Sequence, residues 1–363
     1  MQTRFKPHLS DLIRYQTSLG RDLEHGIRLD RNEKVSNFSP EVVAEILKQF
    51  QVWSLSASPE SRGLYEKISK LIKVPSEQIY VTAGITEGVK FLFETLTNPG
   101  DNVIVLDPTY PMYSIYAKFY QTEYRKFEYT NLAPDWKSFE SALDKKTALV
   151  MIPNPNLPVE SCFTLDELRR IAERCQKNGT ILLIDEAYHY FGAPSSLGLI
   201  TEFDNVIVAR SFSKAFGLAA IRLGFMVSSP ENIAYVSKTR SLVESNSFSM
   251  GIASFFLDRP TLVESHVQEV KEGAEYIQSE LTKMGLKWHG GNFTNGILIF
   301  LESESETKDL VHYLREKKIY IRGSFEAPYQ QCVRISIGPK HIMQLFIQSL
   351  DQWISHRRAK KLI

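Results

Sequence analysis

An α/β fold is predicted for this 363-residue chain, with a mostly parallel central sheet flanked by helices and a smaller α+β domain beside it. Two observations carry that prediction. Short apolar runs alternate with longer helical patterns through the middle of the chain, as consecutive strand–helix–strand units do. After about Ser249 the pattern changes to long helices with short strands such as "NGILIFLE" and "CVRISIG". The length agrees, because a chain of this size exceeds a single small core. The expected division is an N-terminal arm and part of the small domain over 1–34, a large ligand-binding domain over 35–249, and a small C-terminal domain over 250–363.

The elements follow in order. "QIYVTAG" reads as a strand running into a turn, and "ITEGVKFLFETL" as the helix after it. "DNVIVLDPTY" is a strand leading to the aromatic stretch "MYSIYAKFY", whose stripe from 113 to 120 reads as a buried helix face. "TALVMIPNPN" is the next strand. "TLDELRRIAERCQKNG" has Thr164 and Glu167 at capping-box spacing and closes at Gly179, so both helix ends are marked. "TILLID" and "NVIVARS" follow as apolar strands. Neither a low-complexity linker nor an internal repeat interrupts the series.

Composition narrows the function. Charged residues are 23% of the chain and the formal net charge is +1, so no field gathers nucleic acid or anionic membrane. The basic end "HRRAKKLI" reads as a solvated helix terminus. Cys162, Cys175 and Cys332 are widely spaced, odd in number and without a CxxC pair, which indicates neither a disulfide framework nor zinc. The first twenty residues lack a continuous apolar region, and no stretch approaches the ~20 apolar residues that span a bilayer. A cytoplasmic protein is expected. No GxxxxGK[ST] loop or HExxH pair is present.

In open α/β sheets ligands bind beyond the carboxyl ends of the strands, so the residues just after each strand matter most. The first such turn holds Gly84, Ile85 and Thr86, a helix entrance whose free N–H groups suit a phosphate, although in isolation a plain helix cap is the better explanation. Pro108-Thr109-Tyr110 follows the second strand, and Tyr110 could lie against a flat ligand. The rigid, amide-rich Pro153-Asn154-Pro155-Asn156 follows the third. Asp185 closes the apolar "TILLID" run, with Tyr188 three residues on. The last strand leads into "RSFSKAFGLAAIRLGF", with Ser211, Ser213, Lys214 and Arg222.

A carboxylate ending a buried strand needs a cation, or desolvation penalises it heavily. Together the pieces specify a ligand with a phosphate, a flat ring, a ring cation, a ring oxygen and an electrophilic carbon. Pyridoxal phosphate has all five. Lys214 would form the Schiff base, and Asp185 would keep the pyridine nitrogen protonated. A lone lysine is more often a solvated surface residue, but its place after a buried strand reverses that reading. Glu186 is assigned to an ion pair outside the chemistry, and His189 to packing near the site.

At these residues the chain resembles the fold-type I, class I/II aminotransferases, most closely the histidinol-phosphate aminotransferase group. "DEAY" at 185–188, "SFSKAFGLAAIRLGF" at 211–225, "TAGITEG" at 82–88 and "DPTYPMY" at 107–113 carry the resemblance. "RYQTS" around Tyr15, "LDRNE" at 29–33, "IYIRG" around Arg322 and "VRISIG" around Arg334 extend it over nearly the whole length. The resemblance implies pyridoxal 5'-phosphate as cofactor, with Lys214 as the Schiff-base lysine and proton shuttle. It implies that Asp185 bonds the pyridine nitrogen, Tyr188 the ring hydroxyl, and that Tyr110 stacks on the ring. Gly84, Ile85, Thr86, Ser211, Ser213 and Arg222 would hold the phosphate. Arg334 would grip the amino donor's carboxylate, a bidentate task that suits guanidinium. Tyr15 and Arg322, with Arg334, would meet the substrate's distal anion, and Asn32 would line the substrate site. A homodimer with its active sites at the subunit boundary is implied as well.

Two departures stand out. The group's "NPNNPTG" is "NPNLPVE" here, residues 154–160, so Leu157 stands where an asparagine would donate to the ring hydroxyl. Asn156 is not expected to take over that role. The segment that supplies a neighbour's tyrosine to the phosphate reads "LSASPESRGLYEK", with serine before the proline and Tyr65 out of register.

The resemblance implies an aminotransferase moving an amino group between glutamate and a small oxo compound that carries phosphate or another anion. A decarboxylase or lyase acting on a phosphorylated amino acid would share the same residues, because bond alignment with the ring selects the reaction. A cofactor-binding protein with decayed catalysis is opposed by the retained Lys214, Asp185, Tyr188 and Arg334.

Overall fold

The computed structural model describes residues 6–13, 20–323 and 325–361. Strands in chain order are β1 (Ile27–Leu29), β2 (Ile79–Thr82), β3 (Asn102–Leu106), β4 (Glu123–Phe127), β5 (Tyr129–Thr130), β6 (Ala133–Pro134) and β7 (Thr147–Pro153). They continue with β8 (Ile181–Asp185), β9 (Val206–Ser211), β10 (Gly224–Val227), β11 (Trp288–Gly290), β12 (Gly296–Phe300), β13 (Ile319–Ile321) and β14 (Cys332–Ser336). Seven of them form the central sheet in the order β2-β10-β9-β8-β7-β3-β4. Only β10 runs against its neighbours there.

Each central strand alternates its side chains between two cores, as the two-residue period of a strand requires. Ile104, Leu106, Val150, Ile152, Leu182 and Ile184 enter one core together with Leu168 and Ile171 of the helix Leu165–Asn178. Val103, Val105, Leu149, Met151 and Leu183 enter the other, with Tyr113 and Ala117 of the helix Met112–Phe119. Both faces are covered, which is why these strands read as continuous apolar runs. The helices after β3 and β7 lie on opposite faces, so a crevice opens at the carboxyl ends of those neighbouring strands.

Helix Leu165–Asn178 ends as its sequence predicts. Thr164 and Glu167 form a reciprocal capping box, and Gly179 closes the helix at φ 78°.

A third core gathers helices Pro260–Lys283, Glu304–Glu316 and Lys340–Lys361 around the antiparallel sheet β11-β12-β14. Strand β1 pairs in parallel with β13, so the early chain is anchored to this body and its residues 30–34 lead across to the large one. The boundary expected between 249 and 250 needs correction. It falls inside the helix Ser247–Leu257, whose Met250, Ala253, Phe255 and Phe256 are buried in the large core. Cutting there would expose apolar side chains that belong to the larger body. Among the described residues no helix is long and apolar enough to cross a membrane.

Candidate active site

Every described residue of the set predicted from the sequence lines one cavity of about 1230 Å³ at the carboxyl ends of the central strands. Tyr15 lies outside the described residues. From β2 come Gly84, Ile85 and Thr86; from β3, Tyr110; from β8, Asp185 and Tyr188; from β9, Ser211, Ser213, Lys214 and Arg222. The segment after β1 supplies Asn32, and the smaller body supplies Arg322 and Arg334.

Lys214 sits just beyond β9, between the packed rings of Phe212 and Phe216 in sequence, so its stem starts from a fixed backbone. Its Nζ donates to the carbonyls of Asn32 at 3.2 Å and Arg31 at 3.3 Å, and lies 5.4 Å from the centre of the Tyr188 ring. Asn32 adopts the left-handed conformation at φ 53°, which asparagine tolerates better than most residues.

Asp185 is buried where β8 ends. Its Oδ2 accepts from the Tyr113 hydroxyl at 2.6 Å and its Oδ1 from the Ala187 N–H at 2.9 Å. Burial raises the Asp185 pKa, against the opposing pull of the Tyr113 hydrogen bond, the Ala187 amide and the Lys214 charge. A desolvated carboxylate of this kind gains most from a cationic N–H placed against it. Tyr113 was expected only as part of a buried helix face. It is buried, and its phenol also reaches the acid that the sequence singles out; no spacing signal links two residues that far apart in the chain.

The other end of the cavity brings a helix N-terminus, a guanidinium and several hydroxyls together. Gly84, at φ 83°, precedes the helix Ile85–Leu96 and leaves its first N–H groups uncapped by a side chain. A Cβ at Gly84 would stand 3.0 Å from Arg222 Nη2, so the glycine makes room for the guanidinium. Ser211 Oγ accepts from the Ser213 N–H at 2.9 Å, and the hydroxyls of Thr86 and Tyr110 meet at 3.1 Å. Tyr110 is 44% exposed, lines the cavity and meets the Tyr113 ring edge to face with centroids 6.0 Å apart.

The residues present fit pyridoxal phosphate. The glycine-and-arginine cradle suits its phosphate, the desolvated Asp185 suits its ring nitrogen, and Lys214 lies in the same cavity.

The "NPNLPVE" segment behaves as its sequence implies, with one addition. Asn156 is fully buried and turned away: Nδ2 donates to Pro108 O, Tyr129 Oη and Val159 O, while Oδ1 accepts from Thr109. Leu157 is buried on the cavity wall. Glu160 was not singled out. Its carboxylate accepts from the N–H groups of Gly291, Asn292 and Phe293 and from the Thr294 hydroxyl at 2.6–3.2 Å, joining the loop after β7 to the turn between β11 and β12. A charged residue where the resembled motif ends in glycine was the available signal.

On the small-domain side, Arg334 Nη2 donates to Asp30 O at 2.9 Å, and Arg322 and Arg334 pair through their backbones. Both therefore stand side by side on the cavity wall. Glu186 is buried in an ion pair with Arg210 at 2.8 Å and is held further by Ser196, which places it in the interior beneath the site. His189 lies 4.0 Å from Glu186, and burial, aided by Arg210, lowers its pKa. Tyr65 turns into its own chain, its hydroxyl accepting from Val81 N at 3.1 Å and donating to Glu244 at 3.2 Å.

Comparison with known proteins places this geometry. The family model "Aminotransferase class I and II" matches residues 24–350. A histidinol-phosphate aminotransferase of Sulfurisphaera tokodaii is 29% identical over 350 residues, covering 93% of each chain. One from Geobacillus sp. (strain WCH70) is 27% identical over 336 residues, covering 92% of this chain and 91% of the relative. Among solved structures, the histidinol-phosphate aminotransferase of Sinorhizobium meliloti in complex with pyridoxal-5'-phosphate superposes with a TM-score of 0.84 at 22% identity, over 98% of this chain and 99% of that one.

Proposed function

Since the chain belongs to the class I and II aminotransferases, we propose that it moves an amino group between glutamate, or a similar amino acid, and a small oxo compound bearing a phosphate or another anion. Pyridoxal 5'-phosphate is its cofactor, which supplies an electron sink for the Cα bond electrons. The observation that carries the reading is the position of Lys214, whose amine is tethered by two backbone carbonyls in the same cavity as the buried Asp185. In that reading Lys214 takes and returns the proton at the substrate's α-carbon, a role that one amine can play in both half-reactions. Asp185 holds the ring nitrogen positive, Tyr188 gives a hydrogen bond to the ring oxygen, and Tyr110 covers the ring face.

The phosphate end is assigned to Gly84, Ile85, Thr86, Ser211, Ser213 and Arg222. Arg334 takes the α-carboxylate, and Arg322 with Tyr15 meets the acceptor's distal anion. The relatives above are named aminotransferases, which does not favour a decarboxylase or lyase. A cytoplasmic homodimer completes the proposal.

The test is a half-reaction screen. Holoenzyme mixed with single amino donors, glutamate first, should lose its visible cofactor band and gain the pyridoxamine band, and phosphorylated oxo acids should reverse the change. A donor panel that leaves the spectrum unchanged would overturn the assignment. Sedimentation of the holoenzyme reads the subunit number, and a monomer with full activity would remove the dimer.

A further inference from the structure

We propose that Asn32 supplies, through Tyr188, the amide hydrogen bond that Leu157 cannot make. This rests on the cofactor reading above and concerns how this chain tunes the ring oxygen. Leu157 is pure hydrocarbon, and the neighbouring Asn156 spends its amide on Pro108, Tyr129 and Val159. Asn32 stands close by. A Cβ at Gly296 would meet Leu157 Cδ1 at 3.0 Å and Asn32 Nδ2 at 3.1 Å, so the two side chains crowd one patch of β12.

Three bonds decide what the Asn32 amide does. Its backbone N–H donates to Ser336 Oγ at 2.8 Å, using one of that oxygen's two lone pairs. The Ser336 proton then goes to Asn32 Oδ1 at 3.4 Å, and Nδ2 faces the Tyr188 hydroxyl at 3.2 Å. An amide nitrogen only donates, so Tyr188 Oη accepts. The phenol's own proton remains for an acceptor on the cavity side, and accepting one hydrogen bond makes the phenol a stronger donor of the next. Asn32 is 1% exposed, so the amide end of the relay is shielded from competing water. The same residue holds Lys214 through its carbonyl, which ties both contacts to one left-handed backbone position.

Asn32 is thus a positioning residue acting through Tyr188 on the ring oxygen of the bound cofactor. The experiment is a pH titration of the holoenzyme's visible absorbance. Asn32→Gly keeps the left-handed backbone and removes the amide. Its midpoint should rise by about one pH unit, the size expected when a hydrogen bond to a charged oxygen weakens. Asn32→Asp, which turns a donor into an acceptor, should shift it at least as far. Two further arms separate the relay from a structural effect. In a Tyr188→Phe background Asn32→Gly should add nothing, and Leu157→Asn should return the Asn32→Gly midpoint towards wild type. An unchanged midpoint in Asn32→Gly, or an equal shift with and without the Tyr188 hydroxyl, overturns the relay while leaving the function intact. Wild-type protein that gains no visible band from the cofactor overturns both.

Discussion

The Tyr113 hydroxyl donates to Asp185 Oδ2 across 2.6 Å, inside the core where helix Met112–Phe119 crosses the end of β8. The bond opposes the burial that raises the acid's pKa. Tyr113→Phe should keep the packing and remove this support, leaving Asp185 more readily protonated and a weaker partner for a ring cation. A lost bond to a charged group is worth about 1.5–3 kcal/mol, so cofactor affinity should fall by about 10–100-fold. Equilibrium titration of the apoenzyme with pyridoxal phosphate reads it.

Asp185 also sets a pH dependence in the protein without cofactor. Burial raises its folded-state pKa above the unfolded value. The folded chain then holds this proton more tightly than the unfolded chain does. Its contribution to stability is present below the ordinary carboxylate range and is lost as pH rises through the raised value. Asp185→Asn should remove that loss. The apo variant should therefore match wild type in acid and exceed it in thermal stability at higher pH, while amino transfer collapses. Melting curves of both apo proteins across pH check the sign.

Gly84→Ala tests the phosphate cradle. The new methyl would sit 3.0 Å from Arg222 Nη2 on a backbone at φ 83°. A backbone at φ 83° and ψ 163° is one that essentially only glycine adopts and costs alanine about 1–3 kcal/mol, and Arg222 must also give way. Cofactor affinity should drop by at least about tenfold while far-ultraviolet dichroism stays native, because the strain is confined to one turn.

Glu160→Gly restores the residue type of the resembled motif but leaves the N–H groups of Gly291, Asn292 and Phe293 and the Thr294 hydroxyl without their shared acceptor. Removing an acceptor from partly buried donors costs about 1–3 kcal/mol. Chemical denaturation should show that loss, and hydrogen exchange should rise first in residues 291–294. Unchanged exchange there would show that water replaces the carboxylate at no cost.

The local chemistry of the chain was readable without coordinates. Short continuous apolar runs had to be buried strands, Thr164 and Glu167 had to start a helix that Gly179 ends, and the polar residues after each run had to meet at one edge of the sheet. Lys214, Asp185, Gly84 and Arg222 belong to that class, because strand order and direction bring them together whatever the side chains between them do. Tertiary packing decided the rest. Tyr113 on Asp185, Asn32 on Tyr188, Glu160 on the turn at 291–294 and the helix Ser247–Leu257 in the large core are contacts between distant segments. Periodicity and capping are set by neighbours within a few residues, whereas the partner of a buried phenol, amide or carboxylate is set by how whole elements cross. Sequence therefore determined which groups needed partners, and only the folded chain chose them.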